Sequence, residues 1–501
     1  MELFAQGLVA IMQPGTLILM IAGTAIGILF GALPGLTATM AVALFLPVTY
    51  GMKPAMGLAV LIALWIGATS GGLIAAILLK IPGTPSSVAT CFDGHPMQEK
   101  GEGAKALGVG IVFSFLGTMF SLIALVFIAP PLAKVALSFG PVEYFAIAIF
   151  SLMLIVSLST DSMLKGIFSG LVGFVFATVG IAPVDAVLRY TFGTVELTSG
   201  FNTLCVLIGL FAISEVIKTA ESSKLEGKAE IAQVTRIKGF GFTMKEFMSQ
   251  KWNFLISALI GTGIGILPGI GGGTSNLVAY MVVKKSSKYP EKFGTGIIDG
   301  IVASEVSNNA SIGGALIPLM TLGIPGDAVT ALLLGGFMIH GIAPGPMLFV
   351  NYGPLVYTVF AAVFVSTLLM LVLEFAGIRI FVKLLSIPNY ILLPIVFVLC
   401  VVGAFGLSSR IFDVWSILLF GAVGYYFVKF KIPQAPFIIG FVLGPMAETN
   451  FRRGLMMTDD SFLGFFESPI AAVFMGLTLV IMLWTIYGEV RKKQSILRSG
   501  D

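Results

Sequence analysis

The sequence predicts an all-α polytopic membrane protein of about ten to twelve transmembrane helices, arranged as two repeats with helices broken at Pro-Gly motifs. Three observations predict it. The 501 residues are 57% hydrophobic and only 11% charged, against about 25% charged in soluble domains. The apolar runs are long and continuous, without the alternation of a membrane β-barrel. Finally, Gly23-Thr24-Ala25-Ile26-Gly27-Ile28 with Leu33-Pro34-Gly35 recurs as Gly261-Thr262-Gly263-Ile264-Gly265-Ile266 with Leu267-Pro268-Gly269. Matching breaks in two halves point to a binding site, because unpaired backbone at membrane depth survives only where it lines a cavity or coordinates something.

Spanning-length apolar segments run near 15–33, 56–79, 107–129, 141–158, 166–182 and 201–217. After a polar interval come 252–283 (interrupted at Pro268), 293–322 (interrupted), 328–349, 355–375, 388–406, 412–428, 432–445 and 469–487. This gives a first membrane repeat over 1–217, a polar linker over 218–251, a second repeat over 252–490 and a tail over 491–501. The linker holds Lys218, Lys224, Lys228, Arg236, Lys238, Lys245 and Lys251, and the tail Arg491-Lys492-Lys493. Positive charge places both on the cytoplasmic side.

The repeat reaches beyond its first motif. Gly71-Gly72 with Ile81-Pro82-Gly83 matches Gly313-Gly314 with Ile324-Pro325-Gly326. Pro141 with Tyr144 resembles Pro388 with Tyr390, and Gly170-x-x-Gly173-Phe174 matches Gly421-x-x-Gly424-Tyr425. Lys284-Lys285-Ser286-Ser287-Lys288 and the loop holding Lys100 and Lys105 lack charged counterparts in the other half, which favours inverted repeats. The endings Glu215-Val216 and Glu489-Val490 favour parallel ones. The loop charges tip the reading towards inversion.

Four segments combine helix breakers with small polar side chains. They are Leu33-Pro34-Gly35-Leu36-Thr37-Ala38-Thr39, Ile81-Pro82-Gly83-Thr84-Pro85-Ser86-Ser87, Leu267-Pro268-Gly269 through Thr274-Ser275-Asn276, and Ser304-Glu305-Val306-Ser307-Asn308-Asn309-Ala310-Ser311 followed by Ile324-Pro325-Gly326-Asp327. Hydroxyls and amides offer neutral donors to a carboxylate, and half-helix N-termini offer N–H groups to an anion. Freed carbonyls with an occasional acid suit a hard cation such as sodium. The substrate-site candidates are therefore Pro34, Gly35, Thr37, Thr39, Pro82, Gly83, Thr84, Ser86, Ser87, Pro268, Gly269, Thr274, Ser275, Asn276, Ser304, Asn308, Asn309, Pro325 and Gly326, with Glu305, Asp327 and Ser311 as cation candidates. Single small residues such as Ser114, Gly117 and Gly170 read as helix packing. The Ser304–Ser311 cluster strains that reading, since polar groups in a membrane are costly and default to function. Asp327 fits equally well as a helix cap.

Other charges read blandly. Glu374, Asp161, Asp185 and Asp413 fall near segment ends and are expected to be solvated, with Arg189 paired locally to Asp185. Arg452-Arg453, after Glu448, reads as an interfacial anchor, and His95 as a solvated turn residue. Cys91, Cys205 and Cys400 lack metal or redox spacing and are expected to be buried thiols. No metalloprotease, nucleophile-elbow or P-loop motif occurs, which argues against an enzyme and against a cofactor. A net charge of +4 without a dense basic patch argues against nucleic acid as a partner. Residues Met1 to Gln13 lack the pattern of a cleaved signal.

These segments give the chain a strong family likeness. Gly31-Ala32-Leu33-Pro34-Gly35-Leu36-Thr37, Lys80-Ile81-Pro82-Gly83-Thr84-Pro85-Ser86-Ser87, Gly265-Ile266-Leu267-Pro268-Gly269-Ile270-Gly271, Glu305-Val306-Ser307-Asn308-Asn309-Ala310, Ile324-Pro325-Gly326 and the stretch Gly335 to Gly345 resemble the large membrane subunit of tripartite tricarboxylate transporters. The resemblance implies a protein of the bacterial inner membrane. It also implies two partners, a small membrane subunit and a periplasmic solute-binding protein, and uptake of a carboxylate driven by an ion gradient, typically sodium. Two other functions stay open on the residues alone: a stand-alone cation/proton antiporter, and a membrane scaffold without transport.

Overall fold

The computed structural model describes residues 2–157, 162–222, 240–384 and 389–498. Expectations placed on Asp161, on Lys224, Lys228, Arg236 and Lys238, and on Pro388 lie outside the described residues, as do the side chains of Arg491 to Lys493.

Helices account for almost all of it. In chain order they are α1 (Glu2–Ile11), α2 (Pro14–Ala32), α3 (Ala38–Phe45), α4 (Pro54–Leu79), α5 (Thr90–Glu99), α6 (Gly103–Ala136), α7 (Pro141–Ser157) and α8 (Met163–Ala177). Then follow α9 (Thr203–Leu207), α10 (Ser214–Ser222), α11 (Met244–Ser249), α12 (Lys251–Ile266), α13 (Gly271–Ser286), α14 (Ile298–Leu322) and α15 (Ala328–Ile339). The last six are α16 (Pro346–Asn351), α17 (Gly353–Leu384), α18 (Asn389–Ser408), α19 (Ile411–Lys429), α20 (Gln434–Met457) and α21 (Pro469–Arg498). One two-residue ladder joins β1 (Gly180–Ile181) to β2 (Leu188–Arg189), antiparallel, with Gly180 opposite Arg189.

Among the described residues, eight helical spans are long and apolar enough to cross a bilayer, and six shorter apolar helices accompany them. The chain is thus a multi-pass helical membrane protein, as its composition predicts. Burial sorts these helices by role. Every residue in the apolar window of α4 is buried. On α21, by contrast, Val473, Val480, Leu483 and Trp484 lie exposed, as a lipid-facing surface requires.

Two compact units divide the chain: residues 1–133 with 211–409, and 134–210 with 410–501. Each draws one stretch from either side of the polar interval. In the second unit, Gly173 on α8 sits against the Phe437 carbonyl of α20, and Gly440 on α20 against the Gly170 carbonyl. A side chain at either glycine would strike backbone, so the contact needs two hydrogens.

The first unit uses the same device around its breaks. Gly27 and Gly31 of α2 lie against the carbonyls of Leu64 and Ala68 on α4, and Gly71 of α4 against that of Ile28. Gly261 and Gly265 of α12 lie against the carbonyls of Ser307 and Ser311 on α14, and Gly314 against that of Thr262. Packing therefore equates Gly27 with Gly261 and Gly71 with Gly314. The motif match had aligned Gly23 with Gly261 and Gly71 with Gly313. The first differs by four residues, one helical turn, because two glycines a turn apart present the same face.

Several charges are better placed than hydropathy allows. Glu374 is fully buried, not solvated, because α17 runs on to Leu384 past the apolar segment ending near 375. Asp413 is likewise fully buried, paired with Arg410 at 2.9 Å. Arg189 pairs with Glu448 at 2.7 Å rather than with Asp185, which instead takes Arg452 at 2.7 Å. That guanidinium holds the Asp185 carboxyl below its ordinary range. His95 stands on a helix, α5, with its Nδ1 3.1 Å from the Ile77 carbonyl. The three cysteines are buried and unpaired, as expected.

Candidate functional site

The site grows out of four helix ends inside the first unit. At the first, α2 stops at Leu33-Pro34, Gly35 takes φ 88°, and the Thr37 side chain caps α3 by accepting from the Met40 N–H at 3.1 Å. At the second, Lys80 leaves α4 in a left-handed conformation, φ 61°. Thr84 and Ser87 then bond reciprocally, Thr84 N–H to Ser87 Oγ at 3.2 Å and Ser87 Oγ to the Thr84 carbonyl at 2.9 Å. At the third, α12 ends before Leu267-Pro268 and Gly269 takes φ 78°. At the fourth, Gly323 (φ 72°) closes α14, and Asp327 opens α15 by accepting from the Thr330 N–H at 2.7 Å. Asp327 is thus a cap in this fold.

Within each half the two breaks touch. Gly83 packs on the Gly31 carbonyl at the end of α2, and Gly326 on the Gly265 carbonyl at the end of α12. A third contact joins the halves. Gly272 faces Asn308 Oδ1, Ser311 Oγ and the Ser86 side chain, Gly273 faces Pro85, and the Asn276 amide donates to the Ser86 carbonyl. Gly271 lies against Asp327. Ser275 donates to the Ser307 carbonyl at 3.2 Å, and Asn308 Nδ2 to that of Thr69 at 3.4 Å.

Of the sequence candidates, the fold gathers Pro82 to Ser87, Pro268 to Gly269, Ser275, Asn276, Asn308, Ser311, Pro325 to Gly326 and Asp327 around this junction. Others go elsewhere. Gly35 faces Thr219 of α10, so the Pro34–Thr39 break meets that helix. Thr274 is exposed on α13. Ser304 and Glu305 turn to α5 and α6: Thr90 Oγ1 lies 2.6 Å from Ser304 Oγ and donates to Glu305 Oε1, while Ser114 Oγ donates to Glu305 Oε2 at 2.9 Å. Asn309 donates back to the Glu305 carbonyl at 3.0 Å.

Three fully buried amide oxygens, Asn276 Oδ1, Asn308 Oδ1 and Asn309 Oδ1, accept nothing among the described residues. A buried acceptor left unmade costs roughly 1–3 kcal/mol. Meanwhile α13 opens on Gly271-Gly272-Gly273 with no side-chain cap, so its first N–H groups have no side-chain acceptor among the described residues.

Beside the second break lies a cavity of about 600 Å³, lined by Lys80, Pro82, Cys91, Phe92, Tyr280 and Lys284 among others. Its wall is braced by Asp93, a fully buried carboxylate that sequence reasoning placed in a turn. Asp93 accepts from Tyr280 Oη at 2.8 Å and from the N–H groups of Gly294, Gly296 and Ile297 at 2.8–3.1 Å. Sequence reading also missed Thr90, Ser70 and Glu374. Ser70 and Glu374 stand as isolated polar residues in apolar helices, and Thr90 opens the polar helix α5.

The arrangement defines a class: a polytopic helical protein whose broken helices meet in a polar, partly unsatisfied junction within the membrane region. The particular family follows from comparison. Residues 17–439 match the Tripartite tricarboxylate transporter TctA family, and the chain belongs to that family, whose members are transporter subunits. A protein of Agrobacterium vitis described as an uncharacterized 52.8 kDa protein in the TAR-I ttuC' 3'region is 33% identical over 483 residues, 96% of this chain and 95% of its own length. A second Agrobacterium vitis protein, described as lying in the TAR-II ttuC' 3'region, is 35% identical over 234 residues, 47% of this chain and 97% of that protein. No solved structure matches the chain.

Proposed function

We propose that the chain is the translocating subunit of a binding-protein-dependent secondary transporter that imports tricarboxylates or related organic acids with sodium. It works in the bacterial inner membrane with a small membrane subunit and a periplasmic solute-binding protein, its polar linker and C-terminus in the cytoplasm. The observation that carries this reading is the junction of broken helices at Ser86, Gly272, Asn276 and Asn308. A carboxylate there meets the uncapped start of α13 and the hydroxyls of Thr84 and Ser86. A sodium ion satisfies the amide oxygens of Asn276 and Asn308, which offer lone pairs and no donor. Lys80 and Lys284, at the neighbouring cavity, supply positive charge along the anion's route.

The test is uptake of radiolabelled citrate and a panel of carboxylates into proteoliposomes holding this chain and both partners, with and without an inward sodium gradient. Sodium-dependent uptake that is lost without the binding protein and in Asn308→Ala supports the reading. Cation flux that needs no binding protein would replace it with an antiporter.

A further inference from the structure

The cavity beside the second break carries chemistry that the junction lacks. The junction offers hydroxyls, amides and backbone N–H groups, whereas the cavity is lined by two ammonium groups, Lys80 and Lys284. Neither makes a hydrogen bond or an ion pair among the described residues. By contrast, Lys100 donates to the Thr295 carbonyl at 2.6 Å, Lys105 pairs with Glu246, and Lys292 lies over the Tyr289 ring. The acids on the elements that build the cavity do not neutralise the two lysines. Helix α13 and the stretch from Ile81 to Ala89 hold no acid. On α5, Asp93 is committed to four donors and Glu99 faces His95 at 3.5 Å, while Glu291 in the loop after α13 is exposed.

The facing wall is aromatic. Phe92, Tyr280 and Phe293 line the same space edge to face, with ring centroids 5.3 Å apart from Phe92 to Tyr280 and 5.4 Å from Tyr280 to Phe293. Asp93 holds this wall in place. Its Oδ2 takes the Tyr280 hydroxyl at 2.8 Å, and its Oδ1 accepts from the N–H groups of Gly294, Gly296 and Ile297. One buried carboxylate thus fixes both a ring and the loop that carries Phe293. A ligand therefore meets two cations beside an apolar surface. The volume of about 600 Å³ lies within the range of roughly 300–1,000 Å³ usual for small-molecule sites.

Helix α13 sets where the cavity lies. Asn276, Tyr280 and Lys284 stand four residues apart on one helix face. Asn276 donates to the Ser86 carbonyl at the junction, while Tyr280 and Lys284 line the cavity. The cavity thus begins about 5 Å, one turn, from the junction, towards the C-terminal end of α13. Helices α12 and α14 begin at that same end: Gln250 and Asn253 donate to Asp299 at 3.3 and 2.9 Å, and Asp93 joins Tyr280 to the Ile297 N–H. The polar interval enters α12 there.

We propose that this cavity is a second anion site. It takes an organic acid with an apolar body, its carboxylate on Lys80 and Lys284 and its body against Phe92, Tyr280 and Phe293. Ammonium groups give charge-assisted hydrogen bonds, stronger than those of the neutral donors at the junction. An acid that moves one turn along α13 therefore gains partners. That this acid is the transported one, leaving towards the linker, rests on the transport reading; the site itself does not.

The experiment is equilibrium binding of radiolabelled phthalate, an aromatic dicarboxylate, to the purified full-length chain in phosphatidylcholine nanodiscs. It is run on the wild type and on Asn308→Ala, which disables the junction. Asn308→Ala is expected to keep phthalate affinity within about twofold, since its side chain is outside the cavity. In either background Lys80→Gln and Lys284→Gln should each weaken binding about tenfold, Lys284→Arg should restore it, and Phe92→Ala should weaken it. Unchanged thermal unfolding of each variant separates loss of the site from loss of the fold. Binding that survives both glutamine substitutions overturns the proposal, as does binding that Asn308→Ala abolishes. Phosphatidylglycerol that excludes phthalate from the wild type, and is itself lost in Lys80→Gln, would assign the cavity to a lipid headgroup and overturn it too. Uptake in proteoliposomes keeps the two readings apart. Binding as expected without any uptake removes the transport reading and leaves the site; sodium-driven uptake with phthalate binding indifferent to the lysines does the reverse.

Discussion

Helices α4 and α14 take equivalent places in the glycine packing, yet one is almost wholly apolar and the other carries a run of polar side chains. Both are fully embedded, and both receive glycines from a preceding broken helix, α2 or α12, at matching carbonyls. In that packing register Leu61, Ile62, Leu64, Trp65, Ile66 and Ala68 stand where α14 has Ser304, Glu305, Ser307, Asn308, Asn309 and Ser311. The frame is shared and the polar content is not. The difference teaches that close backbone packing, set by glycine, is indifferent to what the other helix faces carry. One copy can serve as inert support for the other.

The frame tolerates α14 because most of its polar groups find partners. Ser307 donates to the Ser304 carbonyl at 3.3 Å and Ser311 to that of Asn308 at 2.7 Å. Among the described residues, the buried side-chain groups of α14 left unsatisfied are the amide oxygens of Asn308 and Asn309. Those oxygens, with that of Asn276, are the acceptors on which the proposed site rests.

The sharpest way to break the comparison is to make α14 resemble α4 at its centre. Asn308→Leu is expected to cut reconstituted uptake by about 10–100-fold, as the loss of one or two buried polar contacts implies. Trp65→Phe, at the equivalent place on α4, should leave uptake within about twofold. Equal loss in both would end the claim that chemistry resides in one copy.

Next comes the shared frame itself. Gly71→Ala and Gly314→Ala each place a Cβ against backbone, of Ile28 and Thr262 respectively. Each should lower stability by about 1–3 kcal/mol, read as thermal unfolding in detergent. Costs that differ widely would show the two crossings to be packed differently.

Asp327 offers a smaller test. If its work is capping α15, Asp327→Ala should cost about 1 kcal/mol and Asp327→Asn almost nothing. Uptake lost in Asp327→Asn, with stability kept, would restore the residue to the cation site.

The smallest effect lies outside the bilayer. Glu246 caps α11 through Thr243 and bonds Lys105 at 2.5 Å. The Lys105 ammonium, then the Thr243 donors, pull its carboxyl down from 4.5 to about 2. A depressed carboxyl contributes stability above its unfolded value and loses it as pH falls towards the folded one. The stability gap between the wild type and Glu246→Gln should therefore close between about pH 4.5 and about pH 2. A gap independent of pH would mean that charge plays no part in the contact.

Much of this was legible in the chain. Hydropathy over long windows is additive along the sequence, so the helical membrane class and most helix positions could be read directly. Pro-Gly breaks are equally local, because proline and glycine impose their backbone effects wherever they stand. The polar run Ser304 to Ser311 announced itself by cost alone. The folded structure had to decide the rest. Register between paired helices depends on which glycine meets which carbonyl, and glycines one turn apart look alike in sequence. Whether Glu374 is solvated depends on how far α17 continues and what lies beside it, and no local window contains that. The Asn308 bond to the Thr69 carbonyl and the Ser70 bond to Glu374 are contacts between residues distant in the chain. The sequence determines where polarity is costly; only the tertiary structure determines which of those costs are met and which are left open for a ligand.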